Sequence, residues 1–373
     1  MKLAFLTSTP LNIHKGSGTF NGIVTLARAL RARGITVDFF ASTLKLPVYS
    51  LERIWFNHTL RKVDFSGYDA TVGFDMDGYR LPPSPAPHIA AIKGAIRDEA
   101  NFESGPTRWT MLLQAACERR HVKNAARVMV TSQYMARRVR QFYEPPSEPV
   151  VIPELIDLER WEDLLCGTRD GPDPFSFTVL CVCRLYRRKR VELLLEAAAR
   201  LRPRIPNLSI RIVGNGPEGA RLRSMAETMR LPGLVTWLGD ISNEEVAAEY
   251  RRANIFCLPS VQEGFGIVFL EAMAAGLPIV AARASSAPEV LPQGLLVEPE
   301  SAESLAKGLT KLHGDPKMRE QLAAEGRSRV KQFDAPRIAR RFLDEILSIS
   351  AARPAGVFSS GDESTATGPG TDE

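Results

Sequence analysis

The sequence predicts an α/β protein built from two doubly wound units, each a parallel sheet with helices on both faces. Three observations lead there. Short apolar, β-branched runs alternate with helical periods along nearly the whole chain. The rhythm breaks once, in a Gly/Pro/Asp-rich stretch near the middle, and then restarts. At 373 residues the chain is also too long for one ordinary core and suits two units of roughly 150 residues.

In order, the first unit has strands over 3–7, 36–41, 70–74, 89–92, 127–131 and 150–153. The first helix is read from the periodic run Ile23 to Arg33, which Gly34 stops. Residues 157–175 read as a linker. The second unit has strands over 177–183, 208–213, 235–238, 255–259 and 278–282. Ser242 and Glu245 fit a capping box, and Asp315 an N-cap followed by Pro316 at the first helical position. The division is a first domain over 1–165, a second over 166–334, a last helix over 335–350 that crosses back to the first domain, and a disordered tail over 351–373 rich in Ser, Gly, Thr and acids.

Composition narrows the class. No run of about 18 uncharged apolar residues is present to span a membrane, and the apolar start of the chain is too short for a secretory signal and reads as a buried strand. Five cysteines match no disulfide or zinc spacing, as suits small core residues of a cytoplasmic protein. The net charge of +5 is uneven: the first 165 residues hold 21 Lys plus Arg against 17 Asp plus Glu, the remainder 27 against 26. Arg119, Arg120, Lys123, Arg127, Arg137, Arg138 and Arg140 concentrate the excess. They read either as a solvated helix face or as a surface for anionic lipid or a phosphorylated acceptor. No nucleic-acid motif accompanies them.

The most informative motif is Glu263-Gly-Phe-Gly with Glu271 eight residues on, between a strand and a helix. Its loop sits at the carboxyl edge of a sheet, where open α/β sheets bind ligands. Gly264 and Gly266 allow close backbone approach, and the helix opening at Ile267 offers free N–H groups. Acids beside a turn also simply favour a helix dipole, so the pair alone leaves both readings open. Arg184 and Lys189 follow the second unit's first strand and project over the same edge, a cationic pair suited to a diphosphate. Gly16 and Gly18 link the first strand to the first helix as a tight, ligand-facing turn. Gly214, Gly216 and Gly219, with Asp240 downstream, literally match a dinucleotide fingerprint, which keeps an NAD(P)-dependent oxidoreductase as an alternative.

Together these stretches resemble a retaining glycosyltransferase of family 4, in the GT-B fold of two Rossmann-like domains facing a central cleft. The resemblance runs over Gly16-Ser-Gly18, Val151 to Leu158, Arg184-Leu with Lys189, Val213 to Pro217, and Glu263 to Pro278. It implies a nucleotide-sugar donor held by the second domain and a hydroxyl acceptor, lipid-linked or anionic among the options, held by the first. Peripheral contact with the inner face of a membrane through the basic first domain would fit such an acceptor. It implies that Arg184 and Lys189 bind the diphosphate and stabilise the leaving group. Glu271 would bond the ribose and Glu263 the sugar hydroxyls, while backbone groups at Phe265, Gly266 and Ile267 complete the cradle. No cofactor or bound metal is implied.

The sequence departs from the family pattern at four places. Cys183 and Arg190 stand where glycines are usual, and Glu154-Leu155 stands for Asn-Gly. The family's first-domain His, often followed by Asp, is replaced by Lys93-Gly94, with His88 five residues too early. Either Lys93 takes over the contact with the sugar, or Arg97, Asp98 or Glu99 does; loss of activity, leaving a non-catalytic nucleotide-sugar binder, is the remaining reading.

Overall fold

The computed structural model describes residues 1–9, 13–42, 49–166, 171–173 and 175–351. The first half runs β1 (Lys2–Thr7), α1 (Ile13–Arg31), β2 (Thr36–Ala41), α2 (Tyr49–Thr59), β3 (Ala70–Phe74), β4 (His88–Ile92), α3 (Ile96–Glu99), α4 (Gly105–Asn124), β5 (Arg127–Val130), α5 (Gln133–Tyr143) and β6 (Val150–Val151). The second runs α6 (Leu158–Cys166), β7 (Phe177–Val182), α7 (Val191–Leu201), β8 (Leu208–Val213), α8 (Gly219–Thr228), β9 (Val235–Gly239), α9 (Asn243–Arg252), β10 (Ile255–Leu258), α10 (Ile267–Ala274), β11 (Ile279–Ala282), α11 (Ala287–Val290), β12 (Leu295–Val297), α12 (Ala302–Gly314), α13 (Pro316–Val330) and α14 (Ala335–Ala351).

Two six-stranded sheets result, ordered β2-β1-β3-β4-β5-β6 and β12-β11-β10-β7-β8-β9. Every described strand pair is parallel. Burial explains the composition: Phe5, Val72, Ile89 and Val128 in one sheet, and Val179, Ile210, Phe256 and Val280 in the other, are fully covered, as parallel strands require. Ser242 and Glu245 form the reciprocal capping box, and Asp315 caps α13.

The chain passes between the sheets twice, and the two passages are joined. Ile156 N–H donates to Phe333 O at 3.0 Å and Ala335 N–H to Ile156 O at 2.8 Å. After the second passage α14 lies on the first sheet. Ile338, Phe342 and Ile346 are buried in that core, with the Phe342 and Phe5 rings 6.3 Å apart.

Three expectations change. The stretch read as a linker contains α6, because Trp161 is buried edge-on to Tyr250 at 5.7 Å and donates from Nε1 to Glu271 O. A short edge strand, β12, went unread. The basic cluster is largely neutralised: Arg119 and Lys123 both pair with Glu144, Arg127 with Glu345, Arg138 with Asp98 and Arg140 with Glu148. The tail, from residue 352, lies outside the described residues. No helix among the described residues is long and apolar enough to cross a membrane.

Candidate active site

In the second sheet the winding reverses between β7 and β10, and ligands in such sheets bind in the crevice beyond the carboxyl ends of those strands. The loops leaving both strands carry the charged motifs. A single 3₁₀ turn over Arg187–Lys189 follows β7, and its Lys189 Nζ donates to Glu263 Oε1, beyond β10, at 2.5 Å. Both side chains are about nine-tenths covered. The loops are also stitched by backbone: Val261 N–H and Ser260 Oγ donate to Arg188 O at 2.9 and 3.1 Å. Ser285 Oγ accepts Glu263 N–H at 2.9 Å. Arg190, where the resembled family has glycine, keeps the left-handed backbone with φ of 52°. An L-residue pays about 1 kcal/mol for this, and pairing with Glu192 and Glu300 holds it there.

Arg184 lies at the same edge, with Nη1 3.9 Å from Asp240 Oδ1, both side chains about one-third exposed. Gly214 fixes its height. It has φ of 111°, and a Cβ there would stand 2.1 Å from Cys183 O; at Gly216 a Cβ would meet Leu185 O at 2.6 Å. These glycines therefore let the β8 loop pack on the Arg184 loop. Together with Asp240's pairing to Arg184, that accounts for the dinucleotide-like spacing without a dinucleotide, and the redox alternative loses its support.

The Gly-Phe-Gly loop divides its work. Phe265 is core, edge-on to Phe333 at 5.4 Å, so only its backbone can serve a ligand. Gly266, φ 89°, turns the chain into α10, which begins at Ile267. Glu271, one turn on, accepts from Tyr250 OH at 2.9 Å. Burial pushes its carboxyl up to about 7, against a lowering by that hydrogen bond.

Across the cleft, Lys93 follows β4 and its Nζ donates to Glu154 Oε2 at 2.9 Å. The two departures from the family pattern are thus one ion pair, with side chains 11% and 9% exposed. Asp75 accepts the Lys93 N–H at 2.9 Å. Gly264 from the second domain sits on the Lys93 carbonyl so closely that a Cβ would be 2.4 Å away. Of the other candidates, Asp98 is occupied by Tyr134, Gln262 and Arg138, and Glu99 pairs with Arg188 at 3.2 Å. Arg97 donates its N–H to Tyr143 OH at 3.0 Å.

Gly16 and Gly18 do not form a ligand-facing turn: both lie within α1, which begins at Ile13. Glycine in a helix costs about 0.5–1 kcal/mol relative to alanine. At Gly18 the missing side chain serves packing, since a Cβ would stand 3.1 Å from Ile267 Cγ2 at the start of α10.

Sequence reasoning missed the residues that clasp the cleft. Thr131 Oγ1 and Ser132 Oγ donate to Gly264 O at 3.1 and 2.7 Å. The Glu289 carboxylate accepts the Gln133 N–H at the start of α5, at 2.9 Å. Ser132 alone had a readable signal, as the cap of α5. Among the described residues no His/Cys/Asp/Glu group is arranged to hold a metal ion.

Residues 171–329 match the model of "Glycosyl transferases group 1". The chain is 28% identical over 348 residues to a GDP-mannose-dependent alpha-(1-6)-phosphatidylinositol monomannoside mannosyltransferase of Mycobacterium tuberculosis, covering 87% of this chain and 86% of that one. It is 29% identical over 369 residues to a phosphatidyl-myo-inositol mannosyltransferase of Mycolicibacterium smegmatis, covering 92% and 93%. The fold superposes on sucrose-phosphate synthase from Thermosynechococcus elongatus with TM-score 0.76 at 23% identity, over 94% of this chain and all of that one. The paired sheets, the charged switch point and these likenesses agree on a glycosyltransferase in the GT-B fold, with residues 171–329 matching the glycosyl transferases of group 1.

Proposed function

We propose that the chain is a family 4 enzyme that transfers a sugar, with retention at the anomeric carbon and without a bound metal, from a nucleoside diphosphate sugar to a hydroxyl of a lipid-linked acceptor. The names of the mycobacterial relatives favour GDP-mannose as donor and a phosphatidylinositol-type acceptor. The observation that carries the reading is the Lys189–Glu263 contact at the switch point, one cation and one carboxylate poised where a donor's diphosphate and sugar meet.

In this reading Arg184 and Lys189 take the diphosphate and its developing charge, the task a metal would otherwise perform. A diphosphate beside Lys189 draws on the ammonium that Glu263 holds, freeing that carboxylate for sugar hydroxyls. Glu271 takes the ribose, and the Phe265, Gly266 and Ile267 backbone completes the cradle. Gly214 keeps the Arg184 loop in place. Gly18 acts through the packing of α1 on α10. Lys93, neutralised by Glu154, stands in for the family's histidine at the sugar. The acceptor oxygen bonds to the anomeric carbon on the face that the diphosphate leaves. The breaking C–O bond's electron pair departs with the phosphate, which collects the hydroxyl proton. Work at a cytoplasmic membrane face follows from such an acceptor.

The test is donor consumption with and without phosphatidylinositol-type acceptors, with the product anomer read by NMR. Retention, insensitivity to chelator, and loss of turnover in both Glu263→Ala and Arg184→Ala are expected. Unchanged turnover in both variants would sink the site assignment.

A further inference from the structure

Nine of the first domain's basic residues pair with carboxylates among the described residues, and three others converge on one pocket. Among the described residues, Arg61, Arg80 and Arg120 form no ion pair, and with Tyr79 and Asn124 they line a depression of about 550 Å³. The pocket is far from the donor crevice in the winding of the chain. Arg120 and Asn124 end α4 just before β5 begins, and Arg61 follows α2 on the way into β3, so they gather at the amino-terminal edge of the sheet. Lys93 lies beyond the opposite, carboxyl edge, after β4.

We propose that this pocket binds a phosphate group, carried either by an anionic lipid headgroup or by a soluble phosphate compound. Three guanidinium groups with no carboxylate among the lining residues leave a local positive potential that an oxyanion relieves, and guanidinium forks match phosphate oxygens. The end of α4 disfavours an anion by its dipole, and three cations outweigh that contribution. Arg80 is steadied by its neighbours, with its guanidinium 5.4 Å from the Tyr79 ring centroid and Nη1 3.5 Å from His58 Nδ1. The His58 ring is in turn 5.9 Å from that of Trp55, which is half exposed. Tyr49 and Leu51 on the same helix are exposed as well. Aromatic groups beside a cationic pocket suit the headgroup level of a bilayer, and this gives the lipid source its own arm of the test.

The experiment uses the full chain, saturated with nucleoside diphosphate so that the donor site is filled. One arm is flotation with phosphatidylcholine vesicles, with and without phosphatidylinositol, at fixed ionic strength. The other is calorimetric titration with inorganic phosphate. The variant combines Arg61→Gln, Arg80→Gln and Arg120→Gln, and a second places lysine at the same three positions. Expected is a loss of about tenfold or more in the glutamine variant, retained nucleotide binding, and intermediate behaviour in the lysine variant. Loss of phosphatidylinositol-dependent flotation, with Trp55→Ala also reducing flotation but not phosphate binding, assigns the lipid source. Saturable phosphate binding without flotation assigns the soluble one. Equal behaviour of wild type and glutamine variant in both arms overturns the proposal. So does loss of binding in the lysine variant as complete as in the glutamine variant while both still bind nucleotide.

Discussion

Lys93 and Glu154 should behave as one unit. Their charges are 2.9 Å apart, and both side chains are about nine-tenths covered. At an effective dielectric of about 20 their attraction is worth about 6 kcal/mol, which roughly offsets the several kcal/mol needed to desolvate each ion. The intact pair is therefore close to neutral for stability, whereas removing one partner strands the other. Lys93→Met and Glu154→Leu should each cost about 3–5 kcal/mol, and the double variant less than about 2 kcal/mol. Urea unfolding of the wild type and the three variants gives the coupling energy directly. Additive single costs, or a coupling below about 1 kcal/mol, would refute the account of the pair. Turnover of the double variant then separates two roles. If Lys93 contacts the sugar, activity falls about a hundredfold or more with nucleotide affinity unchanged. Retained activity would make the pair a structural replacement for the family's His and Asn.

Three further outcomes follow. Gly214→Ala should cost about 1–3 kcal/mol and weaken nucleotide binding about tenfold, because φ of 111° and the Cys183 carbonyl leave no place for a Cβ; unchanged affinity would mean that the Arg184 loop does not serve the donor. Glu271 carries a folded-state pKa of about 7, above its ordinary 4.5, so its contribution to stability is full below about 4.5 and is lost as pH rises through about 7. That contribution has a slope of up to about 1.4 kcal/mol per pH unit, and urea midpoints across this window should lose it in Glu271→Gln. Glu289→Ala removes the carboxylate on the Gln133 N–H and should cost about 1 kcal/mol of stability, measurable as a lower urea midpoint.

Strands were legible where packing on both faces demands continuous apolar runs, as at Leu3 to Leu6 or Ile255 to Leu258. The three residues of β12 are too few to show a period, and α6 hides its one buried side chain, Trp161, among Glu, Arg and Asp. Gly18 signals a turn in sequence because its reason, Ile267, is 249 positions away. The same distance problem obscured the charges. Arg127 looks like part of a basic surface until Glu345 arrives on α14, and Lys93 and Glu154 look like two separate departures until β4 and the passage after β6 lie side by side. Local chemistry was readable at Arg184, Lys189 and Glu263 because loops at one sheet edge follow from strand order alone; which cation meets which carboxylate did not.

The two sheets treat their switch points oppositely, and this bears on how the reaction is divided. In the first sheet the order reverses at β1 and β3. There the Asp77 carboxylate takes the Ser8 N–H at 2.6 Å, the Ser8 hydroxyl at 2.7 Å and the Asn57 amide at 2.8 Å, with Arg53 3.8 Å away. Ser8, Asn57 and Asp77 are fully buried. Among the described residues this crevice is filled by its own hydrogen-bonded groups, with Arg53 Nη2 a buried donor left without a hydrogen-bond partner, and opening it would leave a buried carboxylate unsatisfied. The proposed function accordingly puts the ligand chemistry of that domain at the end of β4, where Lys93 stands against Gly264. In the second sheet the crevice between β7 and β10 instead carries Lys189 and Glu263, whose single contact can be exchanged for contacts to a diphosphate and a sugar. Under the proposed function, one closed and one exchangeable switch point would give the two halves different tasks despite their shared winding, with the transferred sugar where the Gly264 loop meets Lys93.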